Sequence, residues 1–206
     1  MHRQNLLNAA LAFVVTAGGL VWLTDHFAPS LIELLLPLFR SELHLLLPAF
    51  HIDFLGGRIE HNEAVVALTA TLTEYRVVLG QIFPSGASVT ASTLAAHAWV
   101  HPVLILALAA SWPNIALKHR PGLMLLCLPF VALAEMLDIP LVLWGAVEDV
   151  LYWQVDPARI SESLGSRVQH FLDGGGRYAI SIVLALLAIM LFRKLVFPRK
   201  IAPGKQ

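Results

Sequence analysis

Nine side chains of this sequence are of types that do chemistry, and most fall at spacings that would bring them together. His97 and His101 are four residues apart, so a helix carries both on one face. Glu135 and Asp138 are three apart and share a face in the same way. Asp173 and Arg177 flank the run Gly174-Gly175-Gly176, and Asp25 and His26 form another polar pair. The last of the nine is the single cysteine, Cys127. Two histidines in an H-x-x-x-H arrangement with a carboxylate nearby can ligate zinc, so His97 and His101 are the candidate metal ligands. The stronger H-E-x-x-H signature is absent. Gly174, Gly175 and Gly176 beside Arg177 could present backbone amides and a cation to an anion. The same glycines also suit a sharp turn. Cys127 has no His or Arg at helical spacing to activate it and reads as an inert buried thiol. No G-x-S-x-G serine, P-loop or dinucleotide fingerprint is present, and no cofactor is implied.

The rest of the chain must hold these groups in lipid. Of 206 residues, 57% are hydrophobic and only 14% charged, and the mean hydropathy is +0.71. Soluble domains average about 45–50% apolar and ~25% charged, so the composition argues against an ordinary soluble enzyme. Lys+Arg and Asp+Glu both number 14, which leaves no basic surplus for nucleic acid. One cysteine makes no internal disulfide.

About 20 apolar residues are needed to cross a hydrocarbon core of ~30 Å. The fold class expected is an α-helical integral membrane protein with four spans: Leu6 to Leu23, Ala98 to Trp112 (entered from near Ser92), Gly122 to Val147 and Tyr178 to Phe192. The basic residues Arg3, Lys118, Arg120, Arg193, Lys194, Arg199, Lys200 and Lys205 lie in the N-terminus, the loop between spans two and three, and the tail at 193–206. None of those segments carries an acid. The positive-inside rule then places both termini in the cytoplasm of a bacterial inner membrane. On this reading 1–24 is an uncleaved anchor, 25–95 is extracytoplasmic, and 96–206 is a three-span membrane domain with an outward loop at 148–175. In span three, treated as one helix rising 1.5 Å per residue, Glu135 and Asp138 lie roughly 20 and 24 Å from Gly122. His97, His101, Glu135, Asp138, Asp173 and Arg177, with Asp25 and His26, thus converge near the outer interface. Ionisable groups at that depth are costly, and Arg177 is the natural partner for Asp138 or Glu135. The cluster reads first as a structural clamp between spans. A binding groove for a lipid headgroup, peptide or partner helix, and a metal or acid–base site, stay open.

Within the extracytoplasmic segment, Glu33, Pro37, Arg40, Ser41 and His44 form a narrow polar stripe on an otherwise apolar helix over 31–50, as expected of an interfacial helix. A β-meander follows over 51–93. Gly56-Gly57 reads as a turn, and strands are expected from Val66 to Thr73, Tyr75 to Leu79 and Ala87 to Ala91, with a turn at Pro84-Ser85-Gly86. Ile160, Leu164, Val168 and Phe171 or Leu172 give a short surface helix.

The second half resembles a known family. Ala91-Ser-Thr-Leu94 before His97, Ser111-Trp112-Pro113, Leu137-Asp138-Ile139-Pro140 and Phe171-Leu172-Asp173-Gly-Gly-Gly-Arg177 are similar to the small membrane proteins that accompany exosortase H. The resemblance covers residues 90–190 and implies an accessory role beside an enzyme that processes sorting signals on exported proteins. It carries no active residues onto this chain. Exosortases resemble cysteine enzymes with an outward Cys, Arg and His, whereas Cys127 falls near the inner side. The function expected is therefore a non-enzymatic accessory or assembly protein of a bacterial envelope export or exosortase-type sorting system. Its partners would be the bilayer and an exosortase-like enzyme or exported substrate. Two alternatives are a membrane-embedded metal-dependent hydrolase or transferase using the His/Glu/Asp cluster, and a small transporter or channel subunit.

Overall fold

The computed structural model describes residues 2–113 and 115–196, leaving aside the side chains of 2–5, 25, 26, 28, 29 and 31. The expectations for Arg3, Asp25 and His26 and for the tail beyond 196 lie outside the described residues. Three helical stretches are long and apolar enough to cross a membrane: Leu6–Thr24, Leu117–Val155 and Leu164–Val196. The helix His97–Ser111 is apolar but shorter.

The first helix, α1, runs unbroken over His2–Leu46. The expected separate interfacial helix at 31–50 is instead the second half of this rod. Ile32, Phe39, Leu43 and Leu47 form a buried stripe along it, with Leu36 partly buried between them, and the stripe packs on a sheet. A seam spaced at three and four residues buries one helix face against protein, which leaves only the opposite face exposed.

That sheet is antiparallel in the order β1-β2-β5, with β1 Phe50–Glu60, β2 Glu63–Leu72 and β5 Ser88–Leu94. A separate hairpin, β3 Arg76–Val78 and β4 Gln81–Phe83, is inserted between β2 and β5. The strands expected from alternation fall on β2, β3 and β5, while β1 and β4 were not anticipated. Gly56 and Gly57 make no turn. They sit inside β1, opposite Ala67 and Val66. The Phe54 ring lies over Gly56, 3.3 Å from where a Cβ would stand, and Arg58 caps that ring at 5.0 Å. These three residues alternate on one sheet face, so the glycine gives the ring room. The turn comes at His61 and Asn62, whose φ values of 49° and 66° fit a two-residue hairpin loop of the primed type.

The apolar stretch at 122–147 is two helices rather than one span. α3 covers Arg120–Met136 and α4 covers Ile139–Val155. Pro140 has no N–H, and its ring excludes the carbonyl four residues back, at Met136. The helix therefore stops at Leu137-Asp138 and restarts in a new direction. α4 joins α1 and the sheet through Ile139, Leu143, Val147 and Leu151. α3 packs with α2 (His97–Ser111) and α6 (Arg177–Val196) in a second core that includes Ile105, Leu123, Cys127, Ala134, Ala188 and Ile189.

The short surface helix is α5, Leu164–Phe171, but its contact face differs from the expected one. Leu164 and Phe171 are exposed, whereas Gly165 and Ser166 are buried against α4. The backbones touch at a glycine crossing. A Cβ on Gly145 would lie 2.6 Å from the Gly165 carbonyl oxygen and 2.5 Å from Gln169 Cβ.

Two outcomes follow from this packing. Gly145→Ala must push α5 away and should cost about 1–3 kcal/mol, comparable to other overpacked cores. Gly18→Ala meets nothing within 4 Å and should leave the melting temperature unchanged or raise it. Thermal unfolding of the two variants in detergent compares them directly. The second concerns Glu42, whose Oε2 is shielded without a hydrogen-bond partner among the described residues and whose carboxyl burial pushes above the usual range. Such a group is harder to ionise folded than unfolded, so stability falls as pH rises from the ordinary carboxylate range through the folded value. Glu42→Gln should therefore stabilise the protein at about pH 8 and match the parent at low pH, as read by unfolding at both.

Candidate functional site

The helix break puts Asp138 at the joint between the two cores, fully buried. α2 supplies His101, also at 0% exposure, whose Nε2 lies 3.0 Å from Asp138 Oδ2. α6 supplies Arg177, with Nε 3.3 Å from the same oxygen. The Arg177 NH2 group donates to Asp173 Oδ1 at 2.7 Å, and Asp173 lies in the turn that leads into α6. Ser181, one turn further along α6, places Oγ 2.7 Å from His101 Nδ1 and 2.9 Å from the Arg177 carbonyl oxygen. Residues from α2, the α3–α4 joint and both ends of the α5–α6 turn thus meet around one carboxylate.

Proton counting defines what this set can do. A hydroxyl has one hydrogen, and the Arg177 carbonyl can only accept. Ser181 therefore donates to that carbonyl and accepts from His101 Nδ1–H, a tautomer assigned from the network. The remaining proton sits between His101 Nε2 and Asp138. Ser181, His101 and Asp138 have the connectivity of a hydrolase triad, but the imidazole nitrogen facing the serine is a donor. It has no lone pair for the serine proton, and the Ser181 hydroxyl is at 0% exposure. The arrangement ties helices together and presents no activated nucleophile.

Among the other expected residues, His97 opens α2, where its Nδ1 pairs with Thr93 Oγ1 at 3.1 Å. It is within electrostatic reach of Arg177, Asp138, Asp173 and His101 without touching them through a hydrogen bond. Both ring nitrogens of His101 are engaged, which leaves none for a metal shared with His97. Among the described residues, no group of three His, Cys, Asp or Glu is arranged to hold a metal ion. Glu135 is fully buried near Asp138, and neither carboxylate oxygen has a hydrogen-bond partner among the described residues. The expectation that it shares a helix face with Asp138 is corrected by the break at Leu137.

The glycine run makes a turn rather than an anion cradle. Gly175 has φ of 111°, and a Cβ on Gly176 would stand 2.5 Å from the Phe171 ring. The cation beside it, Arg177, is already held by Asp138 and Asp173. Cys127 lies buried in the second core.

Sequence reasoning passed over two contributors. Ser181 is the only polar side chain in 179–192 and stands four residues after Arg177, a signal that was available. Glu148 on α4 accepts from Arg76 at 2.7 Å and from Ser163 at 3.3 Å, which pins the β3–β4 hairpin and the start of α5 to α4. The separation of 72 residues between Arg76 and Glu148 leaves no local trace.

The chain matches no protein-family model, no curated protein and no solved structure.

Removing one partner from a buried charge cluster costs about 3–5 kcal/mol, whereas exposed pairs contribute about 0–1 kcal/mol. Arg177→Met should therefore destabilise strongly, and Asp173→Ala, whose side chain is 43% exposed, only weakly. Unfolding midpoints in detergent check the ranking. Equal losses would mean that Asp138 is not the anchor.

Proposed function

We propose that this chain is a four-span protein of a bacterial inner membrane with both termini in the cytoplasm, serving as a non-enzymatic accessory or assembly factor for an exported-protein sorting system of the exosortase type. The reading is supported by how charge is distributed over the fold. Gly122, near the start of α3, faces the Phe192 ring, near the end of α6. Lys118, Arg120, Arg193 and Lys194 therefore gather at one end of the helical bundle, and the sheet, α4 and α5 lie beyond the other. In lipid, helices satisfy their own backbone and closed polar clusters stay inside, as the Asp138 set does. α2, at about 22 Å for its 15 residues, crosses by local thinning of the bilayer.

The observation that carries the accessory role is a contrast between the two layers. The buried cluster is spent on holding helices. The outer layer offers an open β1 edge of 11 residues beside the exposed Ile59 and Phe54. An unpaired strand edge recruits extended peptide by adding it as a further strand. An exported sorting segment, or a strand of the processing enzyme, fits that mode. The family resemblance over 90–190 points the same way.

Two measurements test the proposal. In a Cys127→Ala background, Arg159→Cys should react with a membrane-impermeant maleimide in intact spheroplasts, and Lys118→Cys only after lysis. Purification of the full chain from native membranes should bring down an exosortase-type enzyme or its exported substrate, and Ile52→Pro in β1 should abolish that. Labelling of Arg159→Cys only from the cytosol overturns the topology, and a chain that always migrates alone overturns the role.

A further inference from the structure

Two grooves stack along α1 on the side that faces α2 and the β1–β2 hairpin. The lower, about 330 Å³, lies between α1, α2 and α6 and is lined by Val21, Ala96, Trp99, Val103, Leu104 and Tyr178. The upper, about 370 Å³, is lined by Ile32, Glu33, Arg58, Ile59, Val65 and Ala95. They adjoin at Ala95-Ala96, where β5 hands over to α2. On the membrane placement proposed above, from which this inference proceeds, the lower groove opens sideways into the outer leaflet and the upper one sits at headgroup level.

We infer that this crevice holds one zwitterionic glycerophospholipid of the phosphoethanolamine type, with an acyl chain in the lower groove and the headgroup between Arg58 and Glu33. The dimensions suit a single lipid. From Ala96 to Leu104 the lower groove follows α2 for about 12 Å, close to the ~15 Å of hydrocarbon that one leaflet provides. Apart from Thr24 its lining is aliphatic, with Trp99 and the half-exposed Tyr178, residue types that belong at the boundary between chains and headgroups.

Charge selects the headgroup. The upper groove carries one cation and one anion. Arg58 is held by packing, its guanidinium 5.0 Å above the Phe54 ring and 3.7 Å from Glu60. That loose pairing leaves N–H donors for a phosphate. Glu33 is exposed and makes no ion pair among the described residues. A carboxylate there attracts an ammonium group and repels a second anion. Arginine alone would favour any anionic lipid, and the added carboxylate turns the preference toward a head bearing both signs.

Native mass spectrometry of the full chain, released from vesicles of phosphatidylethanolamine and phosphatidylglycerol in known ratio, reads the occupant. One phosphatidylethanolamine per chain is expected, enriched at least fivefold over the bulk ratio. Glu33→Gln should erase the enrichment while phosphatidylglycerol binds. Arg58→Gln should lower retention of both lipids, and Val103→Trp should empty the lower groove. The two charge variants are on the surface and do not depend on repacking. Equal retention of the two lipids by the parent chain, or retention unmoved by Arg58→Gln, overturns the inference. The maleimide reaction of Arg159→Cys reports the membrane placement separately. Outward labelling with no lipid preference removes this site alone, and cytosolic labelling removes the placement itself.

Discussion

A carboxylate taken out of water must be matched by charge and hydrogen bonds, and the whole arrangement of this chain follows from where that carboxylate is. Asp138 is fully buried at a point where no helix continues. His101 from α2 and Arg177 from α6 reach the same oxygen, so both helices must end up beside the joint. The desolvation cost of leaving Asp138 charged and unmatched is of order several kcal/mol. Charge matching therefore sets the relative register of α2, the α3–α4 joint and α6, and apolar packing fills in around it. The helices of this core offer little else to choose a register, since aliphatic side chains pack against one another in many offsets.

The same joint divides the molecule in two. Below it, α2, α3 and α6 close around small and aliphatic residues. Above it, α4 turns to cover the sheet, and α5 lies across α4 at the Gly145–Gly165 crossing. Arg76, Glu148 and Ser163 tie the upper layer internally as Asp138 ties the two layers together. The outer layer needs these fastenings because a three-stranded sheet is too small to bury a large core by itself.

Much of this was legible in the residues themselves. The apolar stretches, the alternation of β2, and the convergence of His101, Asp138, Asp173 and Arg177 came from spacing and from the cost of charge in lipid. The errors share a cause. A helix over 31–50 with a polar stripe looks the same whether its apolar side meets lipid or a sheet, since periodicity does not name the neighbour. Gly56-Gly57 looks like a turn until Phe54 is seen lying over it. The Leu137-Asp138 break was marked by Pro140, but the run of apolar residues on both sides masked it. Ser181 was marked by its place four residues after Arg177, whereas the Arg76–Glu148 pair depends on a contact across 72 residues, which no local pattern encodes.

α1 joins the apolar bundle to the sheet as a single rod of 45 residues, about 66 Å long. With no hinge between its two halves, it works as a ruler. On the membrane placement proposed above, the height of the sheet over the bilayer is counted in residues, and each added turn would raise it by about 5.4 Å. Whatever meets the sheet must do so at that fixed distance from the bundle, and a pull on the sheet is delivered straight into the tilt of the first half of α1.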